Sequence, residues 1–134
     1  MKQVIGTVLA LVVVIGIMTI GVGAQVGFRS TTLYQGKTTV VGQTLPVHIT
    51  ASIEEIAPGG EIGRYRRPNP TSVYVLEGML TVNIDGHGPK TFTAGQFYLE
   101  AINLWSNVFN PGPGPTKLLV VYASEDARPS IVRP

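Results

Sequence analysis

The residues best able to do chemistry in this chain cluster in the segment GRYRRPNPTSVYVLEG, residues 63–78. Tyr65 and Thr71 offer hydroxyl groups, and Arg67 offers a permanently charged guanidinium whose planar fork suits a carboxylate or a phosphate. A guanidinium has no free lone pair, and a neutral hydroxyl is a poor ligand for a divalent cation. These side-chain types therefore favour binding of an anion over binding of a metal ion.

Histidine and cysteine, the usual ligands and nucleophiles, are scarce. The chain has two histidines, His48 and His87, and no cysteine. A lone histidine seldom makes a metal site, and without cysteine there is no disulfide framework, thiol nucleophile or cysteine-based metal site. A triad of Ser106 and His48 with an acid does not follow from spacing, because triads are recognised by geometry. We expect no metal and no cofactor, and catalysis is the weaker alternative.

Residues 1–24 have the order of an export signal. Lys2 is followed by an uncharged apolar run from Val4 to Ile20 and then by the small-x-small sequence Val22-Gly23-Ala24. Cleavage before Gln25 is expected, which would make the protein periplasmic or secreted. The alternative is an uncleaved membrane anchor facing outward, because 4–24 is long enough to cross a bilayer core of about 30 Å as a helix.

Composition limits the remaining possibilities. The 134 residues suffice for one core, and 44% of them are apolar. The chain has a net charge of +2, which falls to +1 if Lys2 leaves with the signal. This near-neutral balance is not that of a nucleic-acid-binding surface.

Beyond residue 25 the pattern is that of short strands. The apolar residues of 47–53 alternate with polar ones from His48 to Glu54, which is the period of a half-buried strand, and Pro58-Gly59-Gly60 is expected to end it. Residues 72–84 predict two strands joined by a tight turn at Glu77-Gly78, and the sequence 85–89 predicts a second turn. Further strands are predicted at 90–93, 96–100, 106–109 and 116–123.

These strands, punctuated by glycine and proline and without a helical period, predict an all-β sandwich or jelly-roll barrel. We divide the chain into the signal or anchor at 1–24, lead-in strands at 25–46, the barrel at 47–123 and a surface tail at 124–134. An N-terminal signal or anchor helix precedes the barrel in this division.

The spacing of two motifs makes 47–122 similar to a small exported single-domain cupin. The first cupin motif, G-x5-H-x-H-x3,4-E-x6-G, keeps its glycines at Gly59 and Gly78. The second, G-x5-P-x-G-x2-H-x3-N, begins at Gly95 and ends at Asn110. The resemblance implies a cupin-like jelly-roll β-barrel whose ligand-bearing side chains point inward.

The ligands that the family uses for metal are replaced. Its first-motif histidines fall on Tyr65 and Arg67, its glutamate on Thr71 and its second-motif histidine on Ser106. The resemblance thus implies that these four hydrogen-bond donors line the barrel. Arg67 would repel a cation at the place where a ligand is expected.

Three interpretations follow for this altered barrel. In the first, it binds a small anionic molecule, an organic acid or an acidic sugar, with Trp105 and Tyr74 as apolar or stacking walls. In the second, Arg67 pairs with Glu100, Trp105 joins the core, and the filled barrel serves as an interaction module. In the third, it is an enzyme with an atypical site, for which Tyr65 and Glu100 are the candidate groups.

The partners expected from the sequence are few. We expect a homodimer, because family members often pair through sheet faces and an exposed strand edge favours association. No nucleic acid is expected, and contact with a membrane would come only through residues 1–24. Arg64 and Arg66 alternate with the inward pair, so we expect them in solvent or at a subunit face.

Overall fold

The computed structural model describes residues 26–38, 47–125 and 130–134, and within these ranges the chain forms eight β-strands and no helix. In chain order the strands are β1 Val26–Thr38, β2 Val47–Glu61, β3 Thr71–Glu77, β4 Met79–Ile84, β5 Gly88–Thr93, β6 Phe97–Leu99, β7 Ser106–Phe109 and β8 Thr116–Ser124. The predicted signal or anchor lies outside the described residues. Among those residues, none belongs to a helix that could cross a membrane.

All eight strands join into one antiparallel sheet that curls into a nearly closed barrel. Its order is β5-β4-β7-β2-β8-β3-β6, and β1 pairs with β2 from Val47 to Glu61. The end of β2 passes from one half of the barrel to the other, since Glu61 pairs with Phe109 of β7. The all-β jelly-roll prediction is confirmed, and the strands predicted at 106–109 and 116–123 appear as β7 and β8.

Strand β2 differs from the sequence prediction in where it ends and in which face is buried. It does not end at Pro58-Gly59-Gly60 but continues to Glu61, with Gly59 in the left-handed region at φ 70°. Its burial is also reversed: Thr50, Ser52 and Glu54 face the interior, while the apolar residues between them are only half-buried. The alternation of period two is present, but the polar row points into the barrel because the interior of this barrel contains ionic groups.

Strands β3 and β4 exist as predicted, but they do not pair with each other. β3 pairs with β6 and β8, whereas β4 pairs with β5 and β7. Gly78 between them lies at φ 76°, and a Cβ there would approach the Pro115 carbonyl oxygen to 2.5 Å. The glycine is therefore a corner between the two halves of the barrel. The turn at 85–87 does form the predicted hairpin, in which Ile84 pairs with Gly88.

The core lies between the two halves of the barrel. It is built mainly from the inward residues of β2, β3, β4, β7 and β8: Ile56, Ile62, Tyr65, Val73, Val75, Leu80, Val82, Val108, Leu118 and Val120. Two residues of the predicted tail contact the segment after β2. Val132 exchanges two backbone hydrogen bonds of 2.9 Å with Arg66, and the Arg133 guanidinium donates to the Ile62 carbonyl. Residues 130–134 thus brace the segment that follows β2.

Substitution of Gly78 by alanine should destabilise the fold more than the same change at Gly86. Both glycines have positive φ, but the Gly86 Cβ position is open. Gly86→Ala should cost about 1–2 kcal/mol for the left-handed backbone, and Gly78→Ala should cost a further ~1–3 kcal/mol for the clash. Urea denaturation of both variants measures this difference, and equal costs would show that the close approach at Gly78 is unimportant.

Candidate functional site

Two backbone segments position the side chains at one end of the barrel. The Tyr65 and Ser106 backbones exchange hydrogen bonds of 2.9 and 2.8 Å, and the Asn103 amide donates to the Arg67 carbonyl at 2.8 Å. Because this pairing keeps residues 65–67 extended, Tyr65 and Arg67 point inward and Arg66 points outward. The exposed fraction is 1% for Tyr65 and 2% for Arg67.

A buried ionic cluster is centred on Arg67. Its Nη2 donates to both carboxylate oxygens of Glu54, at 3.0 and 3.3 Å, and its Nε forms an ion pair with Glu100 Oε2. The exposed fractions of the Glu54 and Glu100 side chains are 4% and 8%. Arg67 Nη1 has no hydrogen-bond partner among the described residues. One guanidinium therefore faces two carboxylates out of contact with bulk water.

Tyr65 extends the cluster towards the other side of Glu100. Its hydroxyl donates to Glu100 Oε1 at 2.6 Å, and the Arg67 guanidinium lies 5.5 Å from the centroid of its ring. Burial, reinforced by the charge of Glu100, raises the pKa of Tyr65 well above its ordinary value. Tyr65 is thus a neutral hydrogen-bond donor over the whole physiological range.

The carboxyl of Glu100 and the guanidinium of Arg67 respond to burial differently. Burial raises the pKa of Glu100, and although Arg67 and Tyr65 oppose this rise, the net shift is upward. Burial alone would lower the pKa of Arg67, but Glu100 and Glu54 outweigh it and the net shift is upward. The guanidinium keeps its charge, and Glu100 is held closer to its neutral form than an exposed glutamate.

The cluster forms one wall of a cavity of about 170 Å³. Its polar lining comes from Tyr65, Arg67, Glu100, Ser106 and Tyr98, and Lys90 also lines it. Apolar side chains complete the walls: Val82, Ile84, Phe92, Ala101, Leu99 and Leu104. The rings of Phe92 and Tyr98 stack with centroids 4.3 Å apart. The cavity combines ionic groups with a hydrocarbon wall, which is typical of sites for small organic molecules.

The sequence-predicted site residues divide into two groups. Tyr65, Arg67, Glu100 and Ser106 meet at the cavity. Thr71 is buried, but it is absent from the cavity lining, and its hydroxyl donates to the Asn69 carbonyl at 3.0 Å.

The predicted aromatic walls do not reach the cavity. Trp105 contacts the guanidiniums of Arg64 and Arg66, whose central carbons are 5.3 and 5.4 Å from the ring centroid. It belongs neither to the buried core nor to the cavity lining. Arg64 also pairs with Asp85 at 2.6 Å, in an exposed ion pair. Tyr74 is 38% exposed and pairs with Phe97 of β6.

Sequence reasoning missed Glu54 and Lys90. Glu54 stands in a polar row that ordinarily faces water, so nothing in its own strand marked it as internal. A signal for Lys90 was available, because the hairpin turn at 85–87 places it opposite Val82, whose side chain faces the core. Among the described residues Lys90 has no ion-pair partner.

The residues that occupy the metal-ligand positions of the cupin motifs are not suited to hold a metal ion. Arg67 places a cation at the centre of the site, and both carboxylates nearest to it are already paired with that cation. Within the described ranges, no three histidine or acidic side chains converge to hold a metal ion. No chemical step is therefore assigned to a metal here.

The raised pKa of Glu100 should make stability depend on pH. A carboxyl whose pKa is higher in the folded protein than in the unfolded chain favours folding at low pH, and this contribution is lost as pH rises through the folded value. The unfolding free energy should thus fall above about pH 4.5, by up to ~1.4 kcal/mol per pH unit. Glu100→Gln should flatten this slope in urea denaturation between pH 4 and 8, and an unchanged slope would contradict it.

Known proteins share this barrel. BH2720 of Bacillus halodurans is 25% identical over 60% of this chain and 65% of its own, with a TM-score of 0.54. A conserved Klebsiella pneumoniae protein with a double-stranded β-helix domain is 15% identical over 80% and 85% of the two chains, with a TM-score of 0.61. An oxalate oxidase is 23% identical, with a TM-score of 0.60, over 81% of this chain and 56% of its own.

No protein with a curated description matches this chain significantly. The model of one family, described as the cupin domain, matches residues 52–122, which is more than half of the chain. Its bounds enclose both glycine-spaced motifs and every strand from β3 to β7. The chain belongs to the cupin family.

Proposed function

We propose that this protein is an exported, metal-independent cupin-domain protein that binds a small organic acid in the barrel cavity. The observation that carries the proposal is the pairing of a hydrocarbon wall with two cationic side chains, Arg67 and Lys90, in one cavity. Arg67 is already offset by two carboxylates, whereas Lys90 has no ion-pair partner in the described part of the chain. Lys90 is thus the free cation for a ligand carboxylate.

The walls favour an organic acid over an acidic sugar. Val82, Ile84, Phe92 and Leu104 would leave the hydroxyl groups of a sugar without partners, which is costly in a buried site. The cavity volume of about 170 Å³ is close to that of an engineered apolar cavity of about 150 Å³ that holds benzene. A monocarboxylate with a short hydrocarbon body fits both the volume and the wall chemistry.

Export is supported by the order of residues 1–24, in which a basic residue, an apolar run and a small-x-small sequence follow one another. Native mass spectrometry of the protein recovered from the cells that make it reports two properties at once. A chain mass equal to that of the sequence from Gln25 onward supports cleavage of the signal. An additional mass that is lost on denaturation reveals the bound acid. The full chain mass would favour the uncleaved anchor.

Lys90→Met should weaken binding of butyrate by about three- to tenfold, because it removes one charge-assisted contact worth ~1 kcal/mol. Isothermal titration calorimetry measures the change. Lys37→Met is the matched control, since Lys37 is an exposed lysine on β1 outside the cavity lining. Arg67 is the poorer target, because its removal leaves two buried carboxylates without a counter-ion, at a cost of ~3–5 kcal/mol. Equal affinity of wild type and Lys90→Met would contradict the role of Lys90.

A second candidate function, a homodimeric interaction module, is favoured by the outer face of β2, β8, β3 and β6. The outward side chains of this face are largely apolar: Ala51, Ile53, Leu119, Val121, Tyr74 and Phe97. Glu55, with its partners Arg29 and Lys117, forms a charged edge. With β1, five strands about 4.8 Å apart give a face of roughly 500 Å² per copy, so a symmetric pair buries about 1,000 Å², near the lower limit for a specific interface.

Phe97→Glu should convert such a dimer into a monomer, because it places a charge among the apolar side chains of the face, on its edge strand β6. Phe109→Glu is the control, since Phe109 is an exposed aromatic on β7 in the other half of the barrel. Light scattering after size exclusion gives the mass of each variant. A wild-type monomer at 100 µM, or a dimer that survives Phe97→Glu, would remove this candidate.

A further inference from the structure

We propose that the cavity takes up its organic acid together with one proton, and that Glu100 is the side chain that holds this proton. The inference rests on the proposed function and adds the charge state in which the ligand binds. The proton comes from solvent, and only hydrogen bonds form and break. Glu100 is thus a specificity-determining residue, because it decides whether a carboxylate is accepted beside it.

The charge of the buried cluster motivates the proposal. With both carboxylates ionised, Arg67, Glu54 and Glu100 carry a net charge of −1, and none of these side chains is more than 8% exposed. A ligand carboxylate that pairs with Lys90 would enter the same cavity as a further anion, beside the carboxylate of Glu100. Like charges a few ångströms apart in a low dielectric repel by several kcal/mol, and one of them is protonated instead. A proton taken up together with the ligand removes one of these negative charges from the cavity.

Geometry selects Glu100 as the proton acceptor. Glu100 lines the cavity, whereas Glu54 pairs with Arg67 and is absent from the lining. Glu54 accepts the two hydrogen bonds from Arg67 Nη2, while Glu100 Oε2 contacts Arg67 Nε without hydrogen-bond geometry. Glu100 is therefore the carboxylate of the cluster that a ligand can reach.

The groups that act on Glu100 are Tyr65 and Arg67, from the segment after β2, Glu54 from β2 and Tyr98 from β6. Lys90 of β5 lines the same cavity. Burial raises the pKa of both tyrosines, and the carboxylates raise the pKa of Arg67, so these three keep their protons where Glu100 titrates. Glu54 adds to the upward shift of the Glu100 pKa. Protonated Glu100 could then donate to the ligand carboxylate, and Arg67 Nη1, which lacks a partner among the described residues, could donate as well.

The test is calorimetric titration of butyrate, and of neutral butyramide, between pH 5 and 8 in two buffers with different ionisation enthalpies. Wild type should take up one proton per butyrate, and its dissociation constant should rise by about tenfold per pH unit above the Glu100 pKa. Butyramide should show neither effect. The wild-type measurement needs no variant, so it remains decisive if a substitution unfolds the protein.

Glu100→Gln imitates the protonated carboxyl, so this variant should bind butyrate without proton uptake and more tightly than wild type at pH 8. Glu54→Gln is the matched control: it should keep the proton uptake, and the loss of affinity should begin at lower pH because a charge that raises the Glu100 pKa is gone. Circular dichroism verifies folding of both variants.

The outcomes separate this inference from the proposed function. Butyrate binding by wild type without proton uptake overturns the inference and leaves the organic-acid site standing. Proton uptake that persists in folded Glu100→Gln also overturns it, because another group must then hold the proton. No binding by wild type or Glu100→Gln at any pH overturns the proposed function, and the inference falls with it.

Discussion

The ion pairs of Arg67 with Glu54 and Glu100 determine how the rest of this barrel is arranged. A guanidinium 2% exposed must have its charge met within the protein, since burial of an unpaired ion costs far more than one domain can offset. The two carboxylates come from opposite sides, one from β2 and one from the segment after β6. The cluster thus ties distant parts of the chain to one point, and it explains why the polar row of β2 faces inward.

This cluster also distinguishes the site from an ordinary core. Replacement of buried ion pairs by apolar residues is often neutral or stabilising, so their presence is weak evidence for a purely structural role. Here the cluster borders an internal space rather than being enclosed by packed side chains. The filled-barrel interpretation correctly paired Arg67 with Glu100, yet a cavity adjoins that pair. The buried ionic group therefore borders free volume with apolar walls, a combination common in pockets for small molecules.

The sequence predicted the fold better than the site, for physical reasons. The motif positions that revealed the fold serve the backbone, so replacement of the ligand side chains does not alter their spacing; they are Gly59, Gly78, Gly95 and Asn110. Gly78 forms a corner of the chain, and the Asn110 side chain donates to the Ile56 and Gly114 carbonyls. Burial of the polar side of β2 was not predictable from alternation, because the period identifies two faces without saying which one is inside. Trp105 was assigned to the cavity on residue type alone, and its actual partners are outward arginines that only the path of the 101–105 loop brings together.

The position of Trp105 has a spectroscopic consequence. It is the sole tryptophan of the chain, so the protein's red-edge intrinsic fluorescence comes from one ring. That ring stacks with two guanidiniums and directly precedes Ser106, whose side chain lines the cavity. Movement of the loop when the cavity fills would alter the contacts of the indole with both cations. The molecule thus contains a native optical probe one residue from its candidate site.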